Sequence, residues 1–315
     1  MKKKILITGG NGFIGKALTK KLIQNSYFVK ISSRKKEFNS KNLFTTYMTG
    51  EIDGKTKWDK ILNNIDCVVH CAATTSNMNK NEKETSESFQ KVNIEGTINL
   101  ARQSVSMGVK RLIFLSSIKV NGEKTFNNSS FKYYDIPNPN DAYSNSKWIA
   151  EQELRKISKS TNLELIIIRS PLVYGPGVKG NFKRLINVIR TNMPLPLAMV
   201  QNQRSMIGIE NLIDLIIRCI DHPKASGKTF LASDGEDLST PELIKLIALS
   251  MGMKANLFPL PIFVLKFLGS IFGRREEINR LVDSLRIDNN YTKEILNWIP
   301  PMSVEEGIRR ITQDK

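Results

Sequence analysis

Three side chains in this sequence suit the transfer of a hydride. Tyr143 and Lys147 stand four residues apart in Asp141-Ala142-Tyr143-Ser144-Asn145-Ser146-Lys147, at the start of a helical pattern that runs to about Ser158. That spacing puts both on one helix face. Ser116-Ser117 closes the apolar run Arg111-Leu112-Ile113-Phe114-Leu115, which reads as a buried strand. Reducing a ketone requires a proton at the oxygen as hydride reaches the carbon. A free phenol, with a pKa of about 10, holds its proton too tightly for easy exchange near neutral pH. A neighbouring ammonium and the positive charge of an oxidised hydride carrier lower that value, each unit favouring the phenolate by about 1.4 kcal/mol. Lys147 is expected to supply that field, and Ser117 to hold the substrate oxygen. A tyrosine and a lysine four apart occur by chance on many helices, so their position relative to the rest of the chain decides what they mean.

The stretch that must position them is the first fifteen residues. Lys3-Lys4-Ile5-Leu6-Ile7-Thr8 is a buried parallel strand by pattern. Gly9-Gly10-Asn11-Gly12-Phe13-Ile14-Gly15 follows, and the residues after it have helical spacing, with Ile14, Leu18 and Leu22 on one face. A glycine-rich turn between strand and helix is a phosphate cradle. Gly9 allows the turn, Gly12 lets a pyrophosphate approach the backbone, and Gly15 lets the helix pack closely. Phe13 and Ile14 open the helix against the same anion. The spacing is G-x-x-G-x-x-G, different from the common dinucleotide fingerprint.

A second strand, Tyr27–Ser32, ends in Ser32-Ser33-Arg34-Lys35-Lys36, with no acid before Glu37. A carboxylate there holds the adenosine ribose of NAD, whereas Ser33 and Arg34 suit a 2′-phosphate. This favours NADP(H) over NAD(H). Residues 42–47 read as a third strand, and Ile52 is expected beside the adenine. Residues 58–63 read as a crossover helix. Residues 65–70 read as another buried strand, and the small residues Ala72 and Ala73 after it let a cofactor lie over the sheet edge. His70 ends that strand and is assigned no catalytic role. Residues 82–107 read as one long helix, in which Asn93 and Gly96 cost stability and therefore point to a packing or functional duty. Residues 121–140 are loop, and 163–168 a further strand. Strands alternate with helices up to Pro171, so the expected fold is α/β, a doubly wound parallel sheet of the Rossmann type over residues 1–170. Residues 171–315, where Gly/Pro turns multiply, read as a smaller mixed substrate lobe with some segments returning to the first domain.

Composition sets outer bounds. The 315 residues exceed what one core usually serves, and 40% hydrophobic with 24% charged residues is ordinary for a globular protein. The net charge of +17 comes from scattered lysines with no arginine-aromatic stripe, so no nucleic-acid role is inferred. Cys67, Cys71 and Cys219 lack metal-ligand spacing, and no metal site is inferred. Reduced thiols and the lack of a secretory pattern place the protein in the cytoplasm. Residues 257–272 are the most apolar late stretch, too short to span a bilayer. They read as a helix packed on the small lobe, with shallow membrane contact near Arg274-Arg275 as the minor reading.

These motifs together resemble the extended short-chain dehydrogenase/reductases, the NAD-dependent epimerase/dehydratase family of nucleotide-sugar enzymes. The resemblance rests on Thr8 to Gly15, His70-Cys71-Ala72-Ala73, Asn93-Ile94-Glu95-Gly96-Thr97, Ser116 to Gly122, and Tyr143 with Lys147. It implies Ser117, Tyr143 and Lys147 as catalytic. It also implies a cofactor set that includes Asn93, Tyr143, Lys147 and Pro171, with Lys147 bonding the nicotinamide ribose, and often a homodimer. Residues 171–182, Arg204-Ser205, Ser233 to Asp237 and Ser284 to Asp288 look like the branch that reduces a UDP-4-keto-6-deoxy-N-acetylhexosamine to UDP-N-acetylquinovosamine. By that similarity Asn181 and Arg204, with Ser117, hold the UDP-sugar. Asn121 stands where the family usually has Tyr, and Leu172 where many epimerases carry Asn. The expected activity is therefore an NADPH-dependent C4 reduction in surface-polysaccharide (O-antigen) sugar synthesis. The alternative is a UDP-hexose or N-acetylhexosamine 4-epimerase with retained NAD, and a non-catalytic dinucleotide sensor is the remote third.

Overall fold

A computed structural model describes residues 3–34, 44–75, 82–126 and 128–313. Its first half runs β1 (Lys4–Thr8), α1 (Phe13–Gln24), β2 (Phe28–Ser33), β3 (Phe44–Met48), α2 (Asp59–Leu62), β4 (Cys67–His70), α3 (Glu82–Ser88), α4 (Gly96–Ser106), β5 (Arg111–Ser117), α5 (Ala142–Lys159) and β6 (Glu164–Ser170). Then come β7 (Val173–Tyr174), α6 (Gly180–Arg190), β8 (Arg204–Ser205), β9 (Ile207–Gly208), α7 (Ile209–Asp221), β10 (Thr229–Leu231) and β11 (Asp237–Leu238). The chain closes with α8 (Thr240–Ser250), α9 (Ile262–Ile271), α10 (Arg275–Val282), α11 (Asn290–Leu296) and α12 (Val304–Gln313).

In β1, Ile5 and Ile7 face one side of the sheet and Leu6 the other, and all three are buried. A strand apolar on both faces needs helices on both sides, which parallel crossovers supply. Seven strands pair in the order β10-β6-β5-β4-β1-β2-β3, every ladder parallel. One core lies between the sheet and α1 and α7, through Leu18, Leu22, Leu212 and Ile216. The other holds Trp58, Leu100, Ala150 and Leu154, from α4, α5 and the turn before α2. The chain leaves β1 toward β2 and β3, then returns to place β4 on the other side of β1. That reversal opens a crevice beyond the strand ends at Gly9 and Ala72.

Residues past 171 contribute to both the sheet layer and a second core. β10 is the seventh strand, α7 packs on α1, and Leu296 and Trp298 join the first core. A separate core of Phe182, Ile186, Ile244, Ile247 and Ile308 forms the smaller lobe.

Two expectations are corrected. Residues 82–107 are not one α-helix. α3 passes into a wider π-type turn at Phe89–Glu95 before α4 begins. Such a turn re-aims side chains, and Asn93 within it faces inward, as described below. The late apolar stretch is helical only from Ile262, because Pro259 and Pro261 withhold the backbone donors a longer helix needs. The described third strand begins at Phe44, and Lys35, Lys36 and Glu37 lie outside the described residues.

Candidate active site

The glycine turn is close-packed in a way only glycine permits. Gly9 has φ of +68°, and a Cβ there would lie 2.9 Å from the Ala72 backbone. A Cβ on Gly15 would come within 2.2 Å of the Gly9 carbonyl oxygen, so α1 packs on the turn itself rather than on the strand. A Cβ on Gly12 would meet only that oxygen, at 3.1 Å, which leaves its other side open to a ligand. α1 starts at Gly12 with no side-chain cap and no acid in its first turn. The first amides of a helix have no intrahelical partner, and no side-chain cap competes here for the place of a pyrophosphate. These features fit a dinucleotide. Phe13 and Ile14 are partly buried on the core side.

Gly10 was not singled out in the sequence. A Cβ there would meet Ile31 Cγ2 at 1.9 Å, so β2 reads it as firmly as the ligand side reads Gly12. Ser33 is buried and accepts a 2.6 Å bond from the Asn11 amide, which ties the end of β2 to the turn. Arg34 beside it is exposed. Ile52, expected by the adenine, is buried, with its Cγ2 2.7 Å from where a Gly96 Cβ would lie.

At the end of β4 the Ala72 amide donates to Thr8 Oγ1 at 3.3 Å, and Ala73 is exposed. His70 pairs with Thr8 Oγ1 at 2.6 Å and Thr97 Oγ1 at 2.9 Å. Burial and the nearby Lys147 charge pull its pKa down to about 3. The neutral imidazole has both ring nitrogens engaged. Asn93 clamps the loop after β4 to the helix that bears the candidate acid. Its Oδ1 accepts from the Thr74 amide at 2.9 Å, and its Nδ2 donates to Thr74 O at 3.1 Å and to Ser146 Oγ at 3.0 Å. Ser146 in turn donates to Tyr143 O at 2.7 Å.

α5 begins with a capping box. Asp141 Oδ1 accepts from the Ser144 amide at 2.6 Å, and Asp141 Oδ2 accepts from Lys119 Nζ at 2.5 Å. One turn in, Lys147 is buried and donates from Nζ to Leu115 O at 2.9 Å, over the Phe114 ring. Leu115 is two residues before Ser117, so Lys147 reaches the end of β5 where Ser117 lies, and Tyr143 is one helical turn away on α5. Ser117 Oγ accepts from the Lys119 amide at 3.2 Å, which leaves its own proton to donate elsewhere. Ser117 also pairs with Ser170, next to the buried Pro171.

The electrostatics differ from the sequence expectation. Burial, and then the Asp141 carboxylate, push the Tyr143 phenol up to about 12. Burial brings Lys147 down to about 8, partly offset by Cys71 and Glu151. Both influences on the phenol raise it, and the Lys147 ammonium donates to a strand carbonyl.

Sequence reasoning missed the support beneath the site. Glu151, four residues past Lys147, is fully buried. It accepts from Ser116 Oγ at 2.6 Å, Arg169 Nε at 2.9 Å, Arg169 Nη2 at 2.7 Å and Arg155 Nη2 at 3.0 Å. Arg169 Nη1 also donates to Asn121 Oδ1 at 2.8 Å, and Asn121 Nδ2 donates to Lys132 O at 3.1 Å. Asn121 is thus an anchor for the loop after the serine strand. The available signal was a glutamate one helical turn below the lysine, together with a lone arginine in an otherwise apolar strand.

On the other side of the site, Ile118 packs with Leu285 and Ile287. Arg204 bridges Leu285 and donates to Asp283 O at 2.9 Å, which sets it one segment away from the turn after Ser117. Asn181, at the start of α6, is exposed and accepts from Arg184 at 3.5 Å. Leu172 is exposed just beyond Pro171. Among the described residues no three His, Cys, Asp or Glu side chains gather as a metal set.

Residues 5–232 match the model of the NAD dependent epimerase/dehydratase family. A relative from Vibrio cholerae, named UDP-glucose 4-epimerase, is 42% identical over 315 residues, covering 99% of this chain and 95% of its own. Two solved structures share the fold. UDP-glucuronic acid 4-epimerase from Bacillus cereus, in complex with NAD, has a TM-score of 0.80 at 20% identity, with 99% of this chain and 98% of that chain covered. UDP-glucose 4-epimerase with UDP-glucose, from Thermotoga maritima, has a TM-score of 0.79 at 22% identity, with 99% and 98% covered.

Proposed function

The chain belongs to the NAD-dependent epimerase/dehydratase family, and from that premise we propose that it interconverts the C4 epimers of a UDP-hexose or UDP-N-acetylhexosamine, with NAD retained on the sheet. The observation that supports this reading is the Lys147 hydrogen bond to the strand that ends in Ser117, with Tyr143 one helical turn from Lys147, in a chain 42% identical to a protein named UDP-glucose 4-epimerase. The sequence alone put C4 reduction first and epimerisation second; the relative supports the reverse order.

When bound, NAD supplies the acceptor and donor of the C4 hydride. Tyr143 takes the C4 hydroxyl proton as the ketone forms and returns it to the oxygen afterwards. Ser117 donates its free proton to that oxygen throughout. Lys147, with a pKa of about 8, is mostly cationic at neutral pH. It offers its remaining donors to a ribose hydroxyl. Residues 171–315 form the sugar-nucleotide side, where Arg204 and Asn181 hold the UDP portion. A guanidinium fork suits a diphosphate.

One observation favours a second reading, NADPH-dependent C4 reduction. β2 ends in Ser33 and exposed Arg34, with no carboxylate among the described residues there to hold the NAD ribose or repel a 2′-phosphate. Two assays separate the readings. Epimerisation predicts that UDP-glucose or UDP-N-acetylglucosamine is converted to its C4 epimer with no added cofactor, by protein that releases NAD on denaturation. Reduction predicts stoichiometric loss of NADPH absorbance with a UDP-4-keto-6-deoxy sugar and no conversion in the first assay.

A further inference from the structure

α9 breaks the usual surface pattern. Its inner face, Leu265 and Gly269, is buried, and Gly269 lies so close to α10 that a Cβ would meet Ile278 at 2.7 Å. Its outer face carries Phe263, Phe267 and Ile271 at four-residue spacing, 74%, 64% and 60% exposed, and Phe272 follows at 71%. Leu268 flanks them and Phe258 precedes them, also exposed. Single exposed apolar residues are commonplace, but a contiguous aromatic row is not.

The charge around this row is one-sided. Between Glu242 and Glu276 the chain carries five bases and no acid. The carboxylates of the neighbouring segment are already paired: Glu276 with Arg280 at 3.1 Å, Glu277 with Arg184 at 3.6 Å, and Asp283 with Lys266 at 3.0 Å. Arg274 and Arg275, at the same end as Ile271 and Phe272, are exposed and have no ion pair among the described residues. Among the described residues no helix is long and apolar enough to cross a membrane.

We propose that α9 and the turn to Arg275 are a docking surface for a bilayer rich in anionic headgroups, with the phenyl rings in the acyl boundary and the two arginines at the phosphates. A short helix with an apolar outer row and basic residues at its end lies in the interface plane rather than across it. The bilayer accounts for both observations, since a second copy of this chain would bring its own Arg274 and Arg275 against these. The inference is independent of which sugar chemistry the site performs.

The test is co-sedimentation of the full chain with vesicles of phosphatidylglycerol and phosphatidylethanolamine, against vesicles of phosphatidylcholine alone. The unaltered chain is expected to bind the anionic vesicles and to be released by salt. F263E/F267E should weaken binding by about tenfold or more, and R274Q/R275Q by about tenfold. Both variants should keep the circular dichroism and thermal midpoint of the parent. Hydrogen exchange on the unaltered chain is the second readout, with vesicles protecting the amides of 262–275 and leaving the sheet unchanged. No binding at about 1 mM lipid, where even a single acyl chain would be bound, would overturn the proposal. So would equal binding by F263E/F267E, no protection of 262–275, or a dimer that F263E/F267E converts to monomer.

Discussion

The floor of the candidate active site and the outer face of α9 depart from the ordinary placement of residues in opposite directions. Under Ser116 and Lys147, charges are inside. Glu151 and Arg169 are almost fully shielded from water and hydrogen-bond each other twice. Along α9, rings are outside, with Phe263 and Phe267 largely in solvent. The difference lies in partners. Each oxygen of Glu151 has named donors, so the carboxylate is satisfied within a network whose members depend on one another, although Arg155 Nη1 is buried with no partner. The rings of α9 touch little of their own chain. Their row serves something outside the fold, whereas the floor serves geometry within it.

That contrast can be broken in graded steps. The largest effect should come from Tyr143→Phe, which removes the proton carrier and leaves its ring packing, including the Phe89 contact, in place. Turnover of the UDP-sugar should fall by roughly 10²–10⁴-fold in a steady-state assay, with nucleotide binding retained in calorimetry. Retained turnover would remove Tyr143 from the chemistry. Glu151→Ala should be next, because it strands the Arg169 guanidinium in the interior. A loss of ~3–5 kcal/mol in denaturant unfolding is expected, and a loss below about 1 kcal/mol would mean the network is not satisfied as described.

Lys147→Met probes the same floor through pH. The ammonium has a pKa of about 8 in the fold against 10.5 unfolded. Between those values the unfolded chain holds the extra proton, so folding stability rises with pH. The penalty for burying the charge is fully present below pH 8 and gone above 10.5. Unfolding curves of parent and variant should therefore converge by roughly 3–4 kcal/mol across that window, in the direction of a parent that gains as pH rises. Parallel curves would mean the amine is not desolvated. The smallest effect belongs to α9. Phe263→Ser should change stability by about 0.5 kcal/mol or less, since little intramolecular burial is lost. A loss above about 2 kcal/mol would show that the ring is packed in the fold after all.

Local signals were legible in the sequence. β1, its glycine turn and α1 follow one another within 24 residues, and each glycine's duty can be argued from its neighbours. The Tyr143–Lys147 pair needed only the helical repeat. What could not be read depends on distant parts of the chain meeting. Gly10 answers to Ile31 in the next strand, and Asn121 to Arg169 in another. The wide turn at Phe89–Glu95 exists where Asn93 reaches Thr74 and Ser146, neither of them neighbours in sequence. The raised phenol could not be read for the same reason, because no spacing rule reveals its burial or that Lys147 Nζ donates to Leu115 O. For α9 the apolar composition was plain, but which face a neighbour covers was not.

The most direct test follows the hydrogen at C4. The chain is incubated in D₂O with UDP-N-acetylglucosamine or UDP-glucose and no added cofactor, and the product is read by proton NMR. If Tyr143 handles only the hydroxyl proton while the C4 hydride leaves and returns on the same bound carrier, the C4 epimer accumulates with protium at C4. Deuterium at C4, or no epimer from either sugar, would contradict it.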